Sequence, residues 1–385
     1  MAAGSDVSSR HAHLAKLLSF LEDDPANPRL LADTCEAAVE AGEPEAALGL
    51  IARYEALEPV TPALRNLGGL AWLQLDSFAE AAAIFEKLLR EAPDDGTLKF
   101  NLAWALAMAG DDARAVEVLD DETTEKFPRA GILKVQALHR LGDLDGAMRL
   151  GTHLLAAGSG DAALSGAMAL VAIDLRRPEL ARAWADLSGE TPDALSVLGT
   201  LSLQDHRVDE AIRQFDRGLR IRPDSPRNLL GKGLALLAAG DVAEATGYLD
   251  RSARVFGTHL GTWIAAGWAQ FMNGDPRRAR RIFEQARALD DTFAESHGAL
   301  AVLDIVDGNL EQARRGTEVA LRLDRQSLAG ALARSLLLEL DGNPDAARTL
   351  RDVALNTPLA SGHTISQAMV AFAPGWTGPR AKAGR

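Results

Sequence analysis

Apolar residues recur along this chain at the spacing of an α-helix, and the same order of large and small residues returns every 34 positions. The stretch 226–291 holds two successive copies, in which Gly233 matches Gly267 and Gly240 matches Gly274. A repeat of this length with helical periodicity predicts pairs of helices joined by tight turns, each pair stacked on the next.

The register extends far beyond those two copies. One small residue near the start of each second helix indexes the repeats: Ala47, Ala81, Ala115, Ala147, Ala181, Ala211, Ala245, Ala279, Ala313 and Ala347. Most neighbours in this series are 34 residues apart; the exceptions are spacings of 32 and 30. The sequence therefore predicts an all-α fold of about ten helical hairpins with a capping helix at each end.

Two further patterns predict how the hairpins turn and pack. Seven turns carry glycine, which adopts the left-handed conformation that ends a helix: Gly42, Gly110, Gly142, Gly240, Gly274, Gly308 and Gly342. Small residues at the eighth position of a repeat, such as Gly69 and Gly267, alternate with large ones at the twenty-fourth, such as Phe85 and Phe283. This complementarity predicts a continuous core that no single repeat buries alone.

The pattern also predicts the organisation of the chain. The predicted segments are a disordered N-terminus at 1–10, a capping helix at 11–26, an N-terminal repeat segment at 27–161, a degenerate repeat and possible hinge at 162–191, a C-terminal repeat segment at 192–359, a capping helix at 360–373 and a tail at 374–385. The hinge is expected because that repeat is shortened and has Arg176-Arg177-Pro178 in place of a glycine turn.

Composition and charge narrow the class of partner. The chain has 54 acidic and 41 basic residues, a net charge of -13, which argues against a nucleic acid or an anionic membrane as partner. The arginines at 277, 278, 280, 281 and 287 are the local exception, and we interpret them as a solvated outer helix face. The lone Cys35 is expected to be a small buried side chain.

Nothing in the sequence predicts membrane insertion, since no apolar run reaches the roughly 18 residues that span a bilayer. The first ten residues lack the features of a signal peptide. We therefore expect a cytoplasmic protein, or a periplasmic one if a leader has been removed.

The order Trp, Gly, Gly-Asp, Ala, aromatic, Ala in the copy at 260–286 resembles the tetratricopeptide repeat (TPR) family, and the resemblance covers nearly all of the chain from 27 to 358. It implies a right-handed α-solenoid whose first helices line a concave groove. It also implies that the groove binds a protein or peptide segment.

The residues that map to the groove are mostly apolar: Phe100, Trp104, Met108, Leu230, Leu234, Leu237, Ile264, Trp268, Phe271, Met272, Val302 and Ile305. They predict an apolar groove that receives a partner's helix or extended segment. On this hypothesis Trp268→Ala weakens partner binding, and it lowers the free energy of unfolding by much less than it lowers the free energy of binding. Alternatively, the repeat array buries these apolar residues against itself, or a terminal helix of the chain occupies the groove. The lysines of a carboxylate clamp are missing, and only Asn66 and Asn101 faintly match that site.

We find no sequence motif for catalysis, for a metal or for another cofactor, so none of these is predicted. The preferred hypothesis is a non-enzymatic scaffold or adaptor. A second is an accessory subunit of a bacterial envelope machine for polysaccharide export, pilus assembly or secretion. An enzyme is the third, and the oligomeric state is left open.

Overall fold

Helices make up nearly all of the part of the chain that the computed structural model describes, residues 2–158 and 161–356, and no β-strand occurs there. This confirms the predicted all-α fold. The predicted capping helix at 360–373 and the tail at 374–385 lie outside the described residues.

A leading helix precedes ten helical hairpins in the described residues. The leading helix is α1 (Ala2–Asp23), and the hairpins are α2 (Pro28–Ala41) with α3 (Pro44–Glu55), α4 (Pro62–Gln74) with α5 (Phe78–Glu91), α6 (Gly96–Met108) with α7 (Asp112–Val118) and α8 (Asp121–Lys126), α9 (Pro128–Arg140) with α10 (Leu144–Ala156), α11 (Ala162–Asp174) with α12 (Pro178–Ser188), α13 (Pro192–Gln204) with α14 (Val208–Ile221), α15 (Pro226–Ala239) with α16 (Val242–Phe256), α17 (Leu260–Met272) with α18 (Pro276–Leu289), α19 (Ala294–Val306) with α20 (Leu310–Leu323), and α21 (Leu328–Leu340) with α22 (Pro344–Asn356).

The chain forms two compact units, Met1–Val171 and Ala172–Arg385. The division falls within α11 and within the segment 162–191, where the sequence predicts a degenerate repeat. The hinge expected there stays a prediction. In the first unit, Leu31, Cys35 and Tyr54 belong to one buried cluster and Phe85 to another, whereas the second unit has smaller clusters between successive hairpins from α13 to α21.

Glycines at the eighth position allow the large residues of the second helices to reach the core. A Cβ atom added to Gly199 would lie 2.6 Å from a ring carbon of Phe215, and one added to Gly233 would lie 2.5 Å from Leu249 Cγ. Phe215 and Leu249 are both fully buried. The predicted pairing of a small with a large residue is therefore confirmed at these junctions.

Every hairpin turn contains one residue in the left-handed backbone conformation. The seven predicted glycines have φ between 76° and 92°. In the other three hairpins the same place is taken by residues with a side chain, namely Asp76 (φ 55°), Arg176 (φ 58°) and His206 (φ 60°). The turn geometry is thus kept even where the sequence lacks glycine, at a cost in backbone strain.

We expect Arg176→Gly to raise the free energy of unfolding by about 1 kcal/mol, because glycine removes the Cβ strain of this conformation. Asp76→Gly is the matched comparison, and its gain should be smaller since aspartate tolerates left-handed turns better than arginine. Urea unfolding of the two variants measures the difference. Equal gains, or a loss for Arg176→Gly, would contradict this account.

One prediction about local structure is corrected. The N-terminal residues predicted to be disordered are helical from Ala2 onward, because α1 is one continuous helix. Its side chains Leu14 and Leu21 are buried in the cluster formed with α2, and extending an established helix costs little free energy.

The third hairpin differs from the others, because its second helix is interrupted between α7 and α8. Leu119 there is extended yet fully buried, and Asp120 caps α8 by accepting from the Thr123 backbone N–H at 2.8 Å. Two lysines stabilise the break: Lys134 Nζ donates to Leu119 O and Lys99 Nζ to Asp120 Oδ2, each at 2.6 Å. The lysine hydrogen bond lowers the pKa of Asp120 well below its usual range.

Cys35 lies where the sequence places it, fully buried in the cluster of the first unit. Burial raises the pKa of the Cys35 thiol to about 11, so the thiolate is disfavoured at neutral pH. This confirms the interpretation of Cys35 as a small buried side chain.

Candidate partner-binding face

The candidate residues of the second unit lie on its first helices, and most are only half-buried. Leu230, Leu234 and Leu237 of α15 pack against the buried cluster around Leu249, and Ile264 and Phe271 of α17 pack against the cluster around Phe283. One side of each residue therefore contributes to the fold while the rest remains accessible. We call the side of a unit formed by its first helices the first-helix face.

Trp268 is more closely tied to the core than the sequence suggests. Its ring lies edge-on to the fully buried Phe283, with ring centroids 5.3 Å apart, and to Phe271 at 5.8 Å. It also packs against the neighbouring cluster that contains Val302 and Ala333. Trp268 thus joins two buried clusters and remains half-exposed.

Val302 is not available on this face. It is 3% exposed and lies in a buried cluster with Ala301 and Ala333, so its prediction as an accessible groove residue is corrected. The reason is the close approach of α19 and α21. A Cβ atom on Gly298 would lie 2.5 Å from the backbone carbonyl carbon of Ala329. Ile305, one turn further along α19, remains half-buried.

Apolar side chains that are more than half exposed stand at the ends of three first helices. Met272, Val306 and Leu340 are the last residues of α17, α19 and α21, and they are 53%, 56% and 59% exposed. We call them the terminal row. Leu340 is absent from the sequence prediction, although its place 34 residues after Val306 and 68 after Met272 is a signal that could have identified it.

The first unit has a smaller version of the same surface on α6. Phe100 is half-buried on the cluster beneath it, and its ring centroid lies 6.1 Å from that of Trp104. Trp104 and Met108 are each 41% exposed. Asn101, the faint match to a carboxylate clamp, is 8% exposed and belongs to the interior of this unit.

His259 caps α17, the helix that carries Trp268. Its Nδ1 accepts from the Thr262 backbone N–H at 3.3 Å and lies 2.7 Å from the Thr262 hydroxyl. Burial lowers the pKa of His259, assisted by the positive charge of Arg227 and partly offset by Asp174. The cap requires the neutral ring, because a protonated Nδ1 can no longer accept.

We therefore expect a small fall in Tm as the pH drops below about 6.5, the pKa of histidine in an unfolded chain. The folded-state pKa is lowered, so the stabilisation is complete above that pH and is lost as the pH falls through the folded-state value. His259→Asn keeps an acceptor at the cap and cannot titrate there, so this contribution should disappear. The check is a comparison of the two Tm profiles between pH 8 and 5; parallel profiles would exclude His259 as the titrating group.

The arginines of α18 are partly neutralised by carboxylates. Arg278 forms an ion pair with the buried Asp250, and the Arg280 guanidinium lies 2.8 Å from Asp304 Oδ1 and 2.9 Å from Asp307 Oδ2. These pairs join neighbouring hairpins and reduce the positive potential of the helix.

Within the described ranges, no helix is long and apolar enough to cross a membrane. The same residues contain no group of three or more His, Cys, Asp or Glu side chains placed to hold a metal ion.

Comparison with known proteins shows which family and which solved structures this architecture resembles. Family models described as tetratricopeptide repeat match residues 35–96, 73–123 and 196–255. No curated protein sequence matches the chain. Among solved structures it is similar to the MamA protein, with 22% sequence identity over 43% of this chain and 91% of that one and a TM-score of 0.35. It is also similar to a monomeric mutant of IFIT1 with m7Gppp-AAAA, with 12% identity, 85% and 90% coverage and a TM-score of 0.53.

The repeated hairpins and the family matches define an α-helical repeat scaffold. The chain is a tetratricopeptide repeat protein, as its sequence pattern predicts. Such repeats are modules of protein–protein interaction, and the chain is a protein–protein interaction scaffold of this kind.

Proposed function

We propose that this protein is a non-enzymatic adaptor that binds an amphipathic helix of a partner protein on the first-helix face of its second unit. The observation that carries the proposal is the terminal row, in which three successive first helices each end in an apolar side chain that is more than half exposed. Exposed apolar residues in regular register are typical of interaction surfaces rather than of scattered surface positions.

The spacing of the terminal row favours a helix over an extended segment. Packed helices lie about 8–10 Å apart, which equals the rise of about five to seven residues of a helix, or one and a half to two turns. A helical partner can therefore present an apolar residue to Met272, Val306 and Leu340 in turn from one face. An extended chain covers the same distance in about three residues, and side chains three apart point to opposite sides of a strand.

The chemistry of the face indicates the partner's composition. Phe271 and Ile305 directly precede Met272 and Val306, and Leu336 lies one turn before Leu340; all three are half-buried apolar side chains. Glu339 lies next to Leu340, and its charge pairs with Arg351. The docking side of the partner should accordingly be apolar, with few charges.

The test places a photo-crosslinking amino acid at Met272 or Leu340 in native cells and identifies the cross-linked segment. We expect one partner, cross-linked through a helix with apolar residues about seven apart. With the photo-crosslinking amino acid kept at Leu340, replacing Met272 and Val306 together by serine should abolish capture without lowering Tm, because these two side chains already contact water. Undiminished capture by that variant would refute the proposal.

Trp268, unlike the residues of the terminal row, is expected to contribute to the stability of the fold. Because its ring packs on Phe283 and joins two clusters, Trp268→Ala should lower the free energy of unfolding by about 3 kcal/mol, the lower range for loss of a buried aromatic. Urea unfolding followed by circular dichroism measures this loss. A loss below about 1 kcal/mol would instead assign Trp268 to the binding surface.

The matched control is Trp104→Ala, where an exposed ring of the first unit should cost little stability. We propose no nucleic-acid partner, which the arginine–carboxylate pairs on α18 support. The envelope-machine role and the cytoplasmic location stay predictions.

A further inference from the structure

A pocket of about 200 Å³ lies among α18, α19 and α20 of the second unit, on the side of the second helices. Its floor is apolar and buried, formed by Leu300 and Ala301, which are 6% and 0% exposed. Around this floor stand polar side chains from all three helices. The lining residues are Arg280, Glu284, Arg287, His297, Leu300, Ala301, Asp304, Gln312 and Gly316.

The pocket exists because Gly316 lacks a side chain where neighbouring repeats have a large one. The equivalent residues 34 and 68 positions earlier are Ile282 and Tyr248. Ile282 packs against the buried cluster around Leu249. A Cβ on Gly316 would lie 3.2 Å from Ala301 Cβ, which shows that this glycine faces the pocket floor.

The hairpin two repeats earlier shows which side chains fill the equivalent space there. There the Tyr248 hydroxyl accepts a hydrogen bond from Lys232 Nζ at 2.8 Å, and Lys232 also donates to Asp216 Oδ1 at 2.6 Å. Moving 68 residues along the chain replaces these three residues by Gly316, Leu300 and Glu284. All three of the latter line the pocket, so a carboxylate remains while leucine replaces the lysine and the phenol ring is missing.

We propose that this pocket binds a phenol ring, in the place that Tyr248 occupies two repeats earlier. The size fits, since a cavity of about 150 Å³ in another protein is large enough for benzene. Leu300 and Ala301 contact the ring, and the Glu284 carboxylate, which lines the same pocket, accepts a hydrogen bond from the hydroxyl. The Arg287 guanidinium provides a donor for the hydroxyl oxygen.

The charges at the rim favour a neutral ligand. Arg280 is engaged by Asp304 and Asp307, which leaves Arg287 and Glu284 as one positive and one negative group beside the opening. A phenol is uncharged at neutral pH and offers one donor and one acceptor, which matches this balance. The ring can come from a tyrosine side chain of a partner protein or from a free small phenol.

The site lies apart from the terminal row and does not depend on the proposed helix-binding role. The test titrates the full chain with p-cresol, the side-chain analogue of tyrosine, and follows the His297 imidazole and the Gly316 amide by NMR. We expect saturable shifts at both. Toluene, which lacks the hydroxyl, should bind about threefold to tenfold more weakly, as expected for the loss of one hydrogen bond.

Gly316→Tyr fills the pocket from within and should remove the p-cresol shifts. Gly316→Ile, which copies Ile282, serves the same purpose if the tyrosine variant does not fold. The matched control is Gly247→Tyr, on an exposed helical glycine with no atom within 4 Å of its added Cβ, which should leave binding unchanged. Persistent p-cresol shifts in the filled variant, or no shifts in the wild-type chain, would overturn the proposal.

A second arm identifies the source of the ring, using a tripeptide with central tyrosine and blocked termini. Binding of the tripeptide with affinity comparable to p-cresol supports a tyrosine of a partner protein. Binding of p-cresol alone supports a small phenol. Equal binding of p-cresol and toluene would contradict the role of the hydroxyl.

Discussion

Phe283→Ala should lower the free energy of unfolding of the second unit by about 4 kcal/mol, the loss typical of removing a fully buried phenylalanine. Phe283 is 0% exposed, contacts the Trp268 ring and lies directly beneath Gly267. Stability in a repeat array depends on the interfaces between neighbours, so loss of this ring should weaken the junction between α17–α18 and α19–α20. Urea unfolding combined with hydrogen exchange over 260–306 measures the effect and locates it.

The companion experiment is a double-mutant cycle with Gly267→Ala. A Cβ on Gly267 would lie well under 3.0 Å from three ring carbons of Phe283, so this change alone should be destabilising. In the Phe283→Ala background the ring is gone, and the added methyl group should be neutral or stabilising. Additive effects of the two changes would show that this glycine is not required for the close approach.

Gly298→Ala should lower the free energy of unfolding by about 3 kcal/mol, the upper range for overpacking. The added Cβ would lie 2.5 Å from the Ala329 carbonyl carbon, and its neighbours are backbone atoms that cannot rotate away. The two helices would have to separate. That would break the hydrogen bonds in which Glu295 accepts from the Leu328 and Ala329 backbone N–H groups at 2.7 and 2.9 Å.

A glycine-to-alanine substitution at an exposed position should instead raise the free energy of unfolding, and it therefore serves as the control. Gly247 lies on an exposed helix with nothing within 4 Å of an added Cβ, so Gly247→Ala should raise the free energy of unfolding by about 0.5–1 kcal/mol. Chemical denaturation of both variants provides the comparison. If Gly298→Ala is as stable as the wild-type chain, α19 and α21 do not approach as closely as described.

The predicted binding residues show how much of a binding surface a repeat pattern can identify. Counting positions along each first helix correctly selects Met272 and Trp104 as accessible apolar side chains. It fails at Val302, because the separation of α19 and α21 depends on Gly298 meeting the backbone of a helix some 30 residues further on. It assigns Trp268 to the surface alone, whereas its contact with Phe283 makes it a part of the core.

The sequence by itself determines the hairpin architecture, since each helix, turn and small–large pair is specified by residues close together in the chain. It does not predict the left-handed turns that lack glycine, where the structure shows that Arg176 and His206 adopt the conformation that Gly240 adopts elsewhere. Only the tertiary structure decides the surface chemistry. The accessibility of Leu340, the burial of Val302 and the pocket beside Gly316 depend on the distances between helices, and those distances are set by many side chains packing at once.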